Sequence, residues 1–193
     1  MKVFDHPESI NLRLGRYESD NQLSYFTTSI GVGLDADVAE TVNQKRKQHR
    51  FINSGNRRSI YMKTTFQKII RGKTKNLSLN VDGSCIKMNN TWLVTVNRLP
   101  YFGICLPIAP KASWTQQDFV VTTVNSLSRW LLLLLLPTIL IGQHSRLKSV
   151  NEYRGSVITI EADTRLTFQT DGTTGRAKRL KINSSNRKQT FIR

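Results

Sequence analysis

Alternation of apolar and polar residues dominates the middle of the chain and predicts β-strands. Residues Lys75–Val81 alternate, and the Asp82-Gly83 pair that follows is typical of a two-residue hairpin turn. Further strands are predicted on both sides of a second turn, at Asn89-Asn90. The remaining strand patterns lie at Phe26–Val38, Phe119–Val124, Ser156–Ile160, Leu166–Thr170, Leu180–Ile182 and Thr190–Ile192. Turn signals recur at intervals of roughly ten residues, which favours a β-sandwich.

Helices are predicted in fewer places. Apolar residues recur at helical spacing in Ala36–Gln44, where Asp35 is expected to cap the helix, and in Arg58–Arg71, with Gly72 as its stop. The fold class expected from these patterns is mainly β. We predict a two-layer β-sandwich with a few peripheral helices.

The segment Trp130–Gly142 is apolar apart from Thr138 and contains an uninterrupted run of leucines. As a helix it would be about 20 Å long, whereas a bilayer span needs about 20 residues. Ser126 or Ser128 is placed to cap it. We therefore predict a buried or interfacial helix rather than a transmembrane one.

The charge changes the picture, because a net charge of +16 on 193 residues is far from ordinary. Of the 29 basic residues, 18 lie in two segments without any acidic residue, 41–81 and 173–193. Such a balance implies an anionic partner, namely nucleic acid, an acidic membrane surface or a polyphosphate, or else a solvated basic face. The absence of zinc-ligand spacing and of an RNP-type aromatic motif disfavours nucleic acid.

The cysteines and the N-terminus indicate the compartment. Cys85 and Cys105 lack CxxC spacing, so two reduced, buried thiols are expected rather than a disulfide framework. The first residues contain no apolar stretch typical of a secretory signal. The expected localisation is cytoplasmic, peripheral at a membrane.

Four segments in a fixed order carry a family resemblance. They are FTTSIGVGLDADV at 26–38, YFGICLPIAPKA at 101–112, LLLLLLPTILIGQH at 131–144 and FQTDGT at 168–173. In this order they resemble the C-terminal domain of the diacylglycerol kinase and YegS-like lipid kinases, which are relatives of the sphingosine kinases. The resemblance implies a lipid-kinase β-sandwich domain over residues 10–193. Residues 1–9 are expected to be the remnant of an interdomain segment.

The resemblance also implies an activity and its partners. The full-length family phosphorylates a lipid hydroxyl with ATP, using Mg²⁺ and an N-terminal nucleotide-binding domain with a GGDGT loop. This chain contains no GGDGT sequence, so we expect it to hold no cofactor of its own. The expected partners are a diacylglycerol or sphingoid-type lipid, an anionic membrane surface and a nucleotide-binding domain supplied in trans.

One site element of the family is a DGE turn, whose Glu resembles a general base for the acceptor hydroxyl. The matching turn here is Asp171-Gly172-Thr173, which places Thr173 at the base position. Since a threonine hydroxyl has no useful basicity near neutral pH, we expect this position to be degenerate. The residues themselves favour reading Asp171-Gly172 as a simple hairpin turn.

Two further elements depart from the family. Its acidic, magnesium-binding turn falls on Thr115 and Gln116, with Asp118 close by, and this donor set predicts no metal. Its glycine-rich approach to the lipid falls on Tyr101-Phe102-Gly103, followed by bulky residues where the family has glycines. The sequence therefore predicts a lipid-binding domain that is inactive alone. The alternative is a non-catalytic basic module that binds anionic membrane or nucleic acid.

Overall fold

The computed structural model describes residues 9–48, 57–100, 108–113, 116–140 and 149–192. This part of the chain contains nine strands and three helices. The strands are β1 Ser9–Ser19, β2 Gln22–Phe26, β3 Ser29–Gly33, β4 Lys75–Val81, β5 Ser84–Asn97, β6 Phe119–Asn125, β7 Val150–Gly155, β8 Val157–Thr170 and β9 Thr173–Ile192. The helices are α1 Leu34–Gln48, α2 Arg57–Arg71 and α3 Arg129–Leu140.

All described strands belong to one antiparallel sheet, in the order β2-β1-β9-β8-β3-β5-β6-β7. Strand β4 lies off this path and pairs with both β5 and β8. The registers show that β3 and β4 share the space between β5 and β8. Val32 of β3 pairs with Val94 and Phe168, while Leu79 of β4 pairs with Ile86 and Ile160. Each long strand therefore pairs with β4 through its first half and with β3 through its second half.

The sheet folds over so that its two ends pack against each other. Phe26 on β2 stacks on Phe119 of β6 with ring centroids 5.9 Å apart, although these strands lie near opposite ends of the order. Tyr17 meets Phe168 edge-on at 5.7 Å. One apolar core fills the space between the layers, including Ile30, Val32, Leu79, Val94, Val121, Ile158, Ile160 and Ile182. The predicted mainly β, two-layer architecture with few helices is confirmed, with a small barrel-like closure.

Four strand predictions need correction. Asn89-Asn90 is not a turn, because β5 runs unbroken through it with Asn90 at a φ of 51°. The pairing with β4 shifts register there, so the extra residue forms a β-bulge. Residues 156–170 contain one long strand rather than two, and β9 likewise unites the two short candidates near the C-terminus. The segment 26–38 is only partly extended, since α1 begins at Leu34.

The helix predictions are largely confirmed, and α3 is held by specific contacts. Helix α2 ends where predicted, and the Ser128 hydroxyl accepts a hydrogen bond from the Leu131 amide at 3.3 Å, as a cap does. The Trp92 indole donates to the Leu127 carbonyl at 2.7 Å. Within the described residues, no helix has the length and apolar character needed to cross a bilayer. The expectation of a buried thiol is wrong for Cys85, which is exposed; Cys105 lies outside the described residues.

Gly33 joins β3 to α1 and provides a test of this corner. Its φ is 89°, and a Cβ there would lie 2.3 Å from the Trp92 carbonyl oxygen. Gly33→Ala should therefore lower the free energy of unfolding by about 3 kcal/mol or more, since both strain and a backbone clash result. Urea titration measures this loss.

Gly83→Ala is the matched control. Gly83 has a similar φ of 95°, but a Cβ there would meet nothing within 4 Å. Gly83→Ala should therefore lower the free energy of unfolding by only about 1 kcal/mol, which is the backbone strain alone. Equal losses of unfolding free energy at the two glycines would contradict the close approach of β3 to β5 at Gly33.

Candidate functional site

The turn between β8 and β9 carries the residues that the sequence singles out. Asp171 and Gly172 have φ values of 45° and 88°, and Thr170 pairs with Thr173 across them. This is a two-residue hairpin turn of the type that needs positive φ at both positions. The hairpin interpretation of Asp171-Gly172 therefore holds.

The Asp171 carboxylate binds the loop that joins β2 to β3. It accepts hydrogen bonds from the amides of Thr27 at 2.6 Å, Thr28 at 3.0 Å and Ser29 at 3.2 Å, and also from the Thr28 hydroxyl. Three successive backbone donors thus converge on one carboxylate. Its oxygens hold the loop in place.

Thr173 follows this turn and is exposed. Its hydroxyl donates to the Thr170 carbonyl at 2.8 Å, so the proton of the hydroxyl is used within the turn. Helix α1 reaches the same place, because the Asn43 side chain donates to the Gly172 carbonyl at 2.9 Å. The Asp171-Gly172-Thr173 turn, the β2–β3 loop and α1 therefore form one corner of the domain, which we call the hairpin corner.

Asp35 lies beneath the hairpin corner, in the first turn of α1. It is buried, and the Tyr61 hydroxyl of α2 donates to its Oδ1 at 2.7 Å. Burial raises the pKa of Asp35 to about 7. The hydrogen bonds from Tyr61 and Gln169 lower it, but less than burial raises it. Oδ2 nevertheless has no hydrogen-bond partner of normal geometry among the described residues. The expected capping role is wrong, because the carboxyl points into the protein.

Gln169 connects this buried acid to the turn. Its Oε1 accepts a hydrogen bond from the Gly172 amide at 3.1 Å, while the same side chain stabilises ionised Asp35. Gly31 leaves room on the other side, since a Cβ there would lie 3.3 Å from Asp35 Oδ2. Sequence reasoning did not find this network, although an acidic residue directly after the Gly33-Leu34 pair was visible.

The predicted degenerate metal position contains guanidinium groups. The Gln116 carbonyl accepts a hydrogen bond from Arg98 at 3.3 Å, and its side-chain oxygen accepts one from Arg154 at 3.1 Å. Asp118 instead accepts from the Ser156 hydroxyl at 2.7 Å. No cluster of three His, Cys, Asp or Glu side chains suited to a metal occurs in the described ranges. Thr115 lies outside them, as do the predicted lipid contacts Tyr101, Phe102 and Gly103.

Arg98 is the second buried charged residue that the sequence did not reveal. Only 1% of its surface is exposed, and its guanidinium lies 4.9 Å from the Phe119 ring centroid. It also donates to the Ser184 hydroxyl at 2.8 Å, linking the residue after β5 to β9. Burial, and secondly the charge of Arg13, lower the pKa of Arg98. No described carboxylate pairs with it.

The buried Asp35 predicts a specific pH dependence of stability. Its pKa rises from 3.8 to about 7 on folding. Its effect on the free energy of unfolding is therefore most favourable below pH 3.8, and this stabilisation is lost as the pH rises to about 7. Asp35→Asn removes this loss and keeps an acceptor for Tyr61. When the pH is raised from 5 to 8, the free energy of unfolding of the variant should therefore rise by about 2–3 kcal/mol relative to that of the native chain.

Urea unfolding of both proteins at pH 5 and pH 8 measures this difference. Other titrating groups are the same in the two proteins and cancel in the comparison. Parallel pH profiles of the native chain and Asp35→Asn would show that Asp35 ionises normally in the folded state.

Comparison with known proteins identifies relatives of the domain. Residues 28–181 match the family model described as the YegS C-terminal NAD kinase β-sandwich-like domain. A protein of Bacillus subtilis strain 168, YtlR, named as a candidate lipid kinase, is 22% identical over 158 residues. The match covers 80% of this chain and 50% of YtlR, so the chain spans about half the length of the curated relative it matches.

Solved structures agree on the fold. A candidate diacylglycerol kinase from Bacillus anthracis str. Sterne superposes with a TM-score of 0.62 at 14% identity, covering 91% of this chain and 54% of that one. An NAD kinase from Archaeoglobus fulgidus in complex with ATP gives a TM-score of 0.51 at 11% identity, covering 96% and 55%. The family match includes Thr28, α1 and the Asp171-Gly172-Thr173 turn. The chain belongs to the family of YegS-like C-terminal β-sandwich domains found in lipid kinases.

Proposed function

We propose that this chain is the acceptor-lipid domain of a lipid kinase and binds a diacylglycerol or a sphingoid-type lipid. The observation that carries the proposal is the family match over residues 28–181, which includes α1 and the Asp171-Gly172-Thr173 turn. The names of the relatives support the substrate class, because they are a candidate lipid kinase and a candidate diacylglycerol kinase. The role of the domain would be to bind the lipid and orient its hydroxyl.

Phosphoryl transfer needs a nucleotide site as well as an acceptor site. Catalysis of this reaction rests on positioning and on stabilising charge around the transferred group. We propose that a nucleotide-binding unit, in the same protein or in another chain, supplies ATP and Mg²⁺ to this domain. The domain itself offers a poor general base, since Thr173 is a neutral hydroxyl and the Asp171 carboxylate already accepts hydrogen bonds from three amides.

An anionic membrane surface is the second partner that we propose. The ends of α1 and α2 are basic, and exposed Arg46, Lys47, Arg71 and Lys73 make no ion pair within the described residues. Each basic residue near an anionic leaflet contributes about 1 kcal/mol. Four such residues would hold the domain where its lipid lies. A basic module for nucleic acid, without a lipid site, is the alternative that the same charge supports.

Two aspartates in equivalent turns allow a controlled test of the lipid site. Asp171 and Asp82 each begin a two-residue Asp-Gly turn, and each carboxylate accepts hydrogen bonds from amides of a neighbouring loop. Asp171→Asn should weaken binding of water-soluble dioctanoylglycerol about tenfold, because the hairpin corner loosens. Asp82→Asn disturbs a turn elsewhere and should leave that affinity unchanged.

Isothermal titration calorimetry with dioctanoylglycerol measures both affinities. Equal effects of the two variants would place the lipid away from the hairpin corner. Absence of dioctanoylglycerol binding, together with tight, salt-sensitive binding of a DNA or RNA oligonucleotide, would favour the basic module instead.

Thr173 allows a test of the catalytic side of the proposal. With a compatible nucleotide-binding domain fused upstream, Thr173→Glu should raise diacylglycerol phosphorylation at least tenfold, since positioned general bases contribute roughly 10²–10⁴-fold. Transfer of radiolabelled phosphate from ATP to the lipid is the measurement. Thr174→Glu, one position further along β9, is the control and should give no gain.

The acidic turn can be restored in the same assay. Adding Thr115→Asp and Gln116→Asp to Thr173→Glu supplies the carboxylates that Mg²⁺ prefers. If neither variant gains activity while both fold and bind dioctanoylglycerol, Thr173 does not occupy the position of a base.

A further inference from the structure

Helix α3 has a large apolar face that the domain leaves uncovered. Trp130 is 70% exposed, Leu131 43% and Leu134 72%. Residues three and four apart are neighbours on a helix surface, so Leu134 adjoins both Trp130 and Leu131. The three side chains form one continuous surface, which we call the α3 face. Among the described residues six large apolar side chains are exposed, and half of them are on this one face.

The opposite side of α3 is firmly anchored. Leu132 is buried in a cluster with Ile69 of α2 and Trp92 of β5. The Ser128 cap and the Trp92–Leu127 hydrogen bond fix the start of the helix against the sheet. The α3 face is therefore a rigid, outward-pointing surface. A helix that is apolar on all sides is normally covered on all sides, so an occupant is needed.

Basic side chains adjoin the α3 face. Arg129, the first residue of the helix, donates to the Ile70 carbonyl and so lies beside the end of α2, where Arg71 and Lys73 are exposed. None of these three cations pairs with a carboxylate in the part of the chain that the structure describes. The sequence segments to which these residues belong, 41–81 and 119–151, contain no Asp or Glu.

We infer that the α3 face enters the interfacial layer of an anionic bilayer, an inference that rests on the proposed lipid-kinase function. A tryptophan ring suits the headgroup level, and leucines suit the adjoining acyl chains. The surrounding cations match phosphate headgroups in charge. Shallow insertion would hold the domain at the surface in which a diacylglycerol or sphingoid hydroxyl is displayed.

Vesicle partition of the full 193-residue chain tests this inference. The vesicles contain phosphatidylcholine and phosphatidylglycerol but no diacylglycerol, so binding does not depend on substrate recognition. Leu134→Gln removes one inserted side chain and should lower the partition coefficient about tenfold. Leu23→Gln is the matched control, because Leu23 is also an exposed leucine, at 48%, but lies on β2; it should bind like the native chain.

Tryptophan fluorescence gives a second, independent measurement. Vesicles with brominated acyl chains should quench a Trp114→Phe protein, which keeps only Trp92 and Trp130. Adding Trp130→Phe should abolish most of that quenching, because Trp92 is buried in the protein. Circular dichroism and thermal unfolding check that each variant is folded. High salt should weaken binding, since the charges are exposed.

Two outcomes would overturn the inference. One is equal partition of Leu134→Gln and native protein, and the other is quenching that persists in the Trp114→Phe, Trp130→Phe protein. If Leu134→Gln instead turns a dimer into a monomer in sedimentation without changing vesicle binding, the occupant is a second copy of the chain. Dioctanoylglycerol binding measured in parallel separates the two proposals, because its survival would leave the proposed function standing while the membrane role of α3 fails.

Discussion

The Asp171 carboxylate is the contact on which the arrangement of the hairpin corner depends. It accepts hydrogen bonds from the amides of three successive residues, 27–29, at the entry to β3. The amides of Thr27 and Thr28 lie between β2 and β3, so without the carboxylate they would depend on water. Hydrogen bonds to an ionised group are stronger than neutral ones. The entry into β3, and with it the start of α1, is therefore fixed by a side chain 142 residues away along the chain.

The same solution recurs at the other Asp-Gly turn. The Asp82 carboxylate accepts hydrogen bonds from the amides of Ser156 and Val157, where β7 is followed by β8. Both turns therefore do more than reverse the chain, because each also ties down the loop beside it. The acidic residue of the β8–β9 turn is committed to holding a loop. The hairpin corner is therefore held together by its own turn residues.

Two buried charged side chains, Asp35 and Arg98, mark the places where the sandwich departs from an apolar interior. Asp35 is bonded to Tyr61 and is held at a raised pKa by burial, whereas Arg98 lies against the Phe119 ring and bonds to β9. Burial of a charged group is costly unless it gains partners. Their contacts link the layers and helices around the hairpin corner and around Gln116. Both regions correspond to sites that the family resemblance singled out.

The sequence by itself determined the strands with regular alternation, such as β4, the hairpin turns at both Asp-Gly pairs, α2 and the mainly β class. These features depend on local periodicity and on turn residues with positive φ, which neighbouring residues encode. Ordered motifs also determined the family. Only the tertiary structure decided that Asn90 forms a bulge, that Asp171 holds a distant loop and that Asp35 is buried. It also decided which side of the leucine-rich helix is covered. Each of these depends on residues brought together by the folded sheet, and separation along the chain hides such contacts from any local pattern.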